Sequence, residues 1–217
     1  MQAVIFDLDG TLVNTRERTF WQFEELTRFF DGAPASREEI MRHMHGTTNE
    51  VLRSLTKNPN VTVEQLRSKF DELYDPSLER LELYTSVEEL LPILRRLRYR
   101  LAAVTTNDDS RILLGLEKLG IRKYFDVVVT SEHITQPKPH PEGLLHVLTS
   151  FGLPPQEAVV VGDSVLDVQT GKKALLAKTI AVSHGVDELQ QLREAEPDHV
   201  INDIPTLLGV LEARVEK

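Results

Sequence analysis

Two carboxylates, Asp7 and Asp9, stand two residues apart immediately after the apolar run Ala3-Val4-Ile5-Phe6. Crowded anions repel, so such a pair is tolerable where a divalent cation neutralises it, and hard oxygen ligands suit Mg²⁺. Gly10 permits a sharp turn after them, and Thr11 can begin to cap a following helix. Taken alone, the triplet describes a solvated turn with a helix cap equally well. Three further segments set polar side chains after apolar runs. Thr105, Thr106 and Asn107 offer two hydroxyls and an amide to an anionic oxygen, or else cap a helix that starts near Asp108. Lys138 lies between Pro137 and Pro139, so its backbone is restrained while its ammonium can reach a phosphate as a point charge; most lysines are merely solvated. Gly162-Asp163-Ser164 adds another carboxylate, with Asp167 four residues beyond Asp163; helix capping by Ser164 or Asp163 is the structural alternative.

The elements that must position these groups are short β-branched runs at 3–6, 101–104, 127–130, 158–161, 179–182 and 199–201. Helical patterns lie between them. Ser86 with Glu89 has the spacing of a capping box, and a helix capped by Asp108 ends at Gly120. Strand alternating with helix predicts an α/β fold with a doubly wound parallel sheet, whose ligands bind at the carboxyl ends of the strands. From about 15 to 82 the periodicity is helical throughout, so residues 1–14 and 83–217 form the core and 15–82 an inserted helical unit. Five of the eight phenylalanines, Phe20, Phe23, Phe29, Phe30 and Phe70, and the single Trp21 lie in the insertion and predict a small core of its own. Capping boxes at Ser36/Glu39 and Thr62/Gln65 divide it into several helices.

Composition narrows the chemistry. With 25 Lys and Arg against 34 Asp and Glu, the formal net charge of −9 disfavours nucleic acid and anionic membrane surfaces as partners. The absence of cysteine removes disulfides, thiolate zinc sites and a cysteine nucleophile. No apolar run approaches the roughly 20 residues that span a bilayer, and no export signal is apparent at the N-terminus; the expectation is a cytoplasmic protein. A doubly wound sheet would bring the four strand ends into one crevice. There an Asp nucleophile, a second Asp, a hydroxyl, a lysine and a metal-binding Asp match phosphoryl transfer through an aspartyl phosphate.

Phe6-Asp7-Leu8-Asp9-Gly10-Thr11-Leu12, Thr105, Lys138-Pro139 and Gly162-Asp163-Ser164 with Asp167 resemble the four ordered motifs of the haloacid dehalogenase superfamily. The resemblance implies that Asp7 attacks phosphorus and that Asp9 acts as general acid and then base. It places Mg²⁺ on the Asp7 carboxylate, the Asp9 carbonyl and Asp163, with Asp167 in support, and gives Thr105 and Lys138 the phosphate. It also implies that the insertion is a helical cap, closing over the site and selecting a small phosphorylated metabolite. Val104-Thr105-Thr106-Asn107, Tyr124-Phe125-Asp126-Val127-Val128 and Lys138-Pro139-His140-Pro141 look most like the phosphoglycolate phosphatase and pyrophosphatase branch. Two departures concern turns: Thr85-Ser86 stands where the family often has Pro-Gly, and Tyr99 or Arg100 where it often has glycine.

Within the insertion, the run from Met44 to Asn49 carries the candidate substrate contacts His45, Gly46, Thr47 and Asn49, although a plain helix–helix turn fits the same residues. The run lacks the arginine of the family's sugar-phosphate mutases and the lysine of its phosphonate-cleaving members. His43 and His45 could ligate a metal, but nothing nearby in the sequence completes such a site. A phosphomutase, an inorganic pyrophosphatase and a phospho-accepting or interaction module are the alternatives to a phosphatase. A receiver-type module is about half this length and carries its acceptor after a middle strand.

Overall fold

Six runs of β-branched and small apolar residues build a single parallel sheet: β1 (Ala3–Phe6), β4 (Arg100–Val104), β5 (Val127–Val129), β6 (Ala158–Gly162), β7 (Lys178–Val182) and β8 (His199–Ile201). A separate antiparallel pair, β2 (Val13–Asn14) and β3 (Glu82–Leu83), matches Val13 with Leu83. The computed structural model describes residues 1–43, 48–106 and 109–212, without the side chains of 109–111 and 212.

The strand order is β5-β4-β1-β6-β7-β8, and every pair is parallel. The chain steps outward from β1 to β4 and β5, then returns to the other side of β1 for β6. The switch point therefore lies beside β1, where open α/β sheets place their ligands. Ala3 pairs with Arg100 on one side and Ala158 on the other, and Phe6 with Ala103 and Val161. Strands β1 and β6 are buried along their whole length. Alternation of side chains along each strand puts Ala3, Ile5, Ala102, Val104, Ala158 and Val160 in one cluster with Leu144, Val147, Leu148 and Phe151. Those last four belong to α8 (Glu142–Phe151). The other core helices are α6 (Val87–Arg96), α7 (Asp109–Lys118), α9 (Val165–Lys173), α10 (Leu189–Glu194) and α11 (Thr206–Glu212).

The chain divides into two units, one comprising 1–14 and 82–217 and the other 15–81. Glu82 falls in the first because it pairs with Asn14 across β2 and β3, one residue earlier than the sequence pattern suggested. The second unit is helical: α1 (Arg16–Asp31), α2 (Arg37–His43), α3 (Thr48–Leu55), α4 (Val63–Glu72) and α5 (Tyr74–Ser77). Phe20, Phe23, Leu26, Ile40, Leu52, Leu55 and Leu66 make its core, with Phe30 and Phe70 packed against it. Phe29 is 63% exposed, and Trp21 lies under the Arg80 guanidinium at 4.2 Å. The Thr62/Gln65 capping box forms in full, whereas at Ser36 only the Glu39 amide bond to the hydroxyl is found among the described contacts.

The expected box at Ser86 does not form. Ser86 sits in the left-handed region, φ 69°, and its side chain makes no cap bond. A capping residue needs extended backbone, which the turn from β3 into α6 does not provide here. The turn before β4 likewise places its left-handed residue at Arg98, φ 64°, one position before the expected Tyr99 or Arg100. Among the described residues no helix is long and apolar enough to cross a membrane.

Candidate active site

The carboxyl end of β1 delivers Asp7 into the switch point, its amide still held by the Val161 carbonyl at 2.9 Å. The chain then folds back: the Leu12 and Val13 amides both bond the Leu8 carbonyl, and the Gly10 amide bonds that of Val13. Gly10 is required here twice over. Its φ is +88°, and a Cβ would lie 2.2 Å from Asp163 Oδ2. Thr11 does not start a helix, because the chain enters β2 instead. Its buried hydroxyl donates to Asp163 Oδ1 at 2.7 Å.

Strand β6 ends at Gly162, Asp163 follows it, and Ser164 caps α9. The capping and functional readings of this segment coexist. Ser164 accepts from the Asp167 amide, while Asp167 Oδ2 accepts from the Ser164 amide at 3.1 Å and hydroxyl at 2.6 Å. The remaining oxygen, Asp167 Oδ1, accepts from Lys138 Nζ at 2.7 Å. Gly162 leaves room for this carboxylate, since a Cβ there would fall 2.3 Å from Asp167 Cγ.

Lys138 arrives from the loop that follows β5 and binds Asp7 Oδ1 at 2.5 Å as well as Asp167. Its side chain is only 9% exposed. Burial works against its charge, yet Asp167 and Asp7 outweigh that effect and raise its pKa. Each of Asp7, Asp163 and Asp167 presents a carboxylate oxygen within 4.8 Å of the others. Burial, then the neighbouring Asp167, pushes Asp163 up to about 6 against the bonds from Thr11 and Val186. Asp7 is raised well above its ordinary value, chiefly by burial; Lys138 opposes that rise, and Asp167 and Asp163 add to it. Two buried carboxylates and a partly buried third, with one lysine among them, are short of positive charge, and an all-oxygen donor set fits a hard divalent cation.

The other residues singled out by sequence are placed as follows. Asp9 is half-buried and pairs by a bridge with Val13; the acidic cluster does not include its carboxylate. Thr105 is buried at the end of β4, its amide on the Val129 carbonyl at 2.9 Å, and Thr106 is exposed. Asn49 is exposed in the first turn of α3, within the helical unit. His45, Gly46, Thr47 and Asn107 lie outside the described residues.

Sequence reasoning missed the loop 183–187 after β7. The Val186 amide donates to Asp163 Oδ2 at 2.7 Å, so both oxygens of that carboxylate are held. Gly185 is pressed against it, for a Cβ there would meet Asp163 Cβ at 2.1 Å. Asp187 Oδ2 accepts from the Val165 amide at 2.7 Å and steadies the start of α9. The segment Ser183-His184-Gly185-Val186-Asp187 follows a buried strand and carries a glycine and a carboxylate, the same signal that marked the other strand ends.

Residues 4–182 match a protein family described as haloacid dehalogenase-like hydrolase. A pyrophosphatase, PpaX, of Bacillus pumilus is 30% identical over 216 residues, covering 98% of this chain and 97% of that protein. A Thermotoga maritima structure, provisionally assigned as a beta-phosphoglucomutase, is 28% identical with a TM-score of 0.88, covering 99% of this chain and 100% of the other. A Haemophilus somnus structure, assigned by prediction as a phosphoglycolate phosphatase, shares the fold with a TM-score of 0.87 at 22% identity, covering 97% of this chain and 98% of its own.

Proposed function

This chain belongs to the haloacid dehalogenase-like hydrolase family, and from that premise we propose that it is a Mg²⁺-dependent phosphatase of small phosphorylated metabolites. The observation that carries the reading is the Lys138 ammonium set between Asp7 and Asp167 at the sheet's switch point. A nucleophile, a cation for phosphate oxygens and an acidic ion site thus share one crevice.

Asp7 attacks phosphorus with a carboxylate oxygen as the bond to the ester oxygen breaks, and Asp9 protonates the departing alkoxide. Asp9, now a carboxylate, takes a proton from water, which attacks the aspartyl phosphate and releases inorganic phosphate and free Asp7. Lys138 and Thr105 hold the equatorial oxygens of the transferring group, where charge is greatest. Asp7, Asp163 and the Asp9 carbonyl, with Asp167 in support, would hold Mg²⁺. When bound, the ion offsets repulsion between the anionic nucleophile and the phosphate. Choice of leaving group falls to the helical unit, through His45, Gly46, Thr47 and Asn49, and to Thr106 and Asn107 in the core.

A second reading, cleavage of the phosphoanhydride of inorganic pyrophosphate, is favoured by the pyrophosphatase relatives of about 30% identity. A panel of phosphate esters with inorganic pyrophosphate, ranked by kcat/KM with Mg²⁺ and with EDTA, tests both. The first reading expects Mg²⁺-dependent release of phosphate from esters; preference for pyrophosphate selects the second. Return of the phosphoryl group to a sugar, followed by phosphorus NMR, would show a mutase. A phosphoprotein stable for hours after treatment with a small phosphodonor would overturn hydrolysis altogether.

A further inference from the structure

We propose that Glu142 is the positioning residue for Lys138: its carboxylate closes the loop 135–142 and so sets where the ammonium sits between Asp7 and Asp167. What Lys138 does to substrate rests on the phosphatase reading; the loop geometry does not.

Proline cannot donate a hydrogen bond, and Pro137, Pro139 and Pro141 alternate through this loop. The one backbone bond found inside it, among the described residues, runs from the His140 amide to the Pro137 carbonyl at 2.9 Å. The Glu142 side chain provides the closure. Its Oε1 accepts from the Thr135 amide at 3.0 Å and its Oε2 from the Gln136 amide at 2.8 Å, and the Thr135 hydroxyl reaches both oxygens. At the other end, the Glu142 amide donates to His140 Nδ1 at 3.3 Å. One residue thus ties the chain on both sides of Lys138.

Glu142 is itself fixed to the sheet. It opens α8, where a negative charge suits the helix dipole. Its neighbour Gly143 lies so close to the end of β4 that a Cβ would stand 2.8 Å from Val104 Cγ1. The amides of Thr135 and Gln136 hold the Glu142 carboxyl below its ordinary range, so the clasp stays charged. Lys138 has a long, flexible stem, and a misplacement of about 1 Å can cost on the order of 10²-fold in rate.

The test compares wild type, E142A and E142Q by two measurements. The first is the rate of labelling of Lys138 by an amine-directed reagent, read by mass spectrometry with exposed Lys173 as internal reference. Lys138 is nearly buried and bonded to two carboxylates, so it should react slowly in wild type. Labelling should rise at least fivefold in E142A and about twofold in E142Q, which keeps one acceptor oxygen and turns an NH₂ donor toward the second backbone amide. The second is kcat/KM for the best ester, which should fall about 10- to 100-fold in E142A and only several-fold in E142Q. Should E142A not fold, E142Q decides by the same labelling. A folded variant that labels Lys138 as slowly as wild type overturns the proposal, whatever its activity. Faster labelling in a protein that hydrolyses no phosphate compound sustains the positioning and defeats the phosphatase reading.

Discussion

Thr11 and Asp163, 152 residues apart in sequence, meet through a 2.7 Å bond from the threonine hydroxyl to Asp163 Oδ1. The bond ties the turn after β1 to the end of β6, and Val186 takes the second oxygen of the same carboxylate. Asp163 is therefore oriented from both sides before any ligand arrives.

The first prediction follows from that orientation. Replacing Thr11 by valine keeps the shape of a buried side chain but removes the donor, leaving Asp163 free to rotate about one remaining bond. Groups that orient a metal-binding carboxylate are typically worth about 10- to 100-fold in metal affinity. Titration calorimetry with Mg²⁺ should show a loss in that range for T11V; an unchanged affinity would remove Thr11 from the ion site.

Asp163 also links protonation to stability. Its folded pKa of about 6 lies above the ordinary 3.8, so the native state holds this proton more tightly than the unfolded chain. Its stabilising contribution in the metal-free protein is complete below about 3.8, declines as pH rises through the window to about 6, and is absent above it. At 1.36 kcal/mol per unit the swing is at most about 3 kcal/mol. Asp163→Asn should abolish it, since an asparagine can turn its amide toward the Thr11 oxygen and its carbonyl toward the Val186 amide. Urea unfolding in EDTA at pH 4 and pH 7 should show the variant gaining on wild type at the higher pH. Saturating Mg²⁺ should reverse the order at pH 7, because an ionised aspartate holds the ion more tightly than an asparagine carbonyl does.

Asp7→Asn should abolish turnover and leave the melting temperature close to wild type or above it, because it removes a nucleophile and a buried charge together. Asp9→Asn keeps the backbone carbonyl and should retain Mg²⁺ binding while losing about 10²–10⁴-fold in kcat, the usual worth of general acid–base help. Steady-state kinetics with calorimetry separates the two. A loss below tenfold for Asp9→Asn would make that residue structural.

The sheet was legible because strands buried on both faces must be almost wholly apolar, and the runs beginning at Ala3 and Ala158 are. Strands β2 and β3, two residues each, leave no period to detect. The site was legible wherever side-chain type carries the chemistry, as at Asp7, Lys138 and Asp163. It was hidden at Val186, which acts through its amide and could be almost any residue. At Thr11 and Ser86 the residue type suggested a cap, but the backbone path decided the outcome: one chain enters a strand, and the other turns left-handed.

That left-handed backbone yields the last prediction. Ser86 has φ 69° and Arg98 φ 64°, each in a turn beside α6 where a Cβ crowds the neighbouring carbonyl. The strain is roughly 1–2 kcal/mol for a residue with a side chain and nearly none for glycine, although glycine also gives back some entropy to the unfolded chain. The Ser86 side chain makes no cap bond that its loss would cost. S86G and R98G should therefore each stabilise the protein by about 0.5–1 kcal/mol. The sites are ten or more residues apart in sequence, at opposite ends of one helix, so the double variant should gain close to the sum. Denaturant unfolding measures all three, with kcat unchanged because neither turn contributes to the acidic cluster. A destabilised S86G would mean that the serine makes a compensating contact strong enough to outweigh the strain.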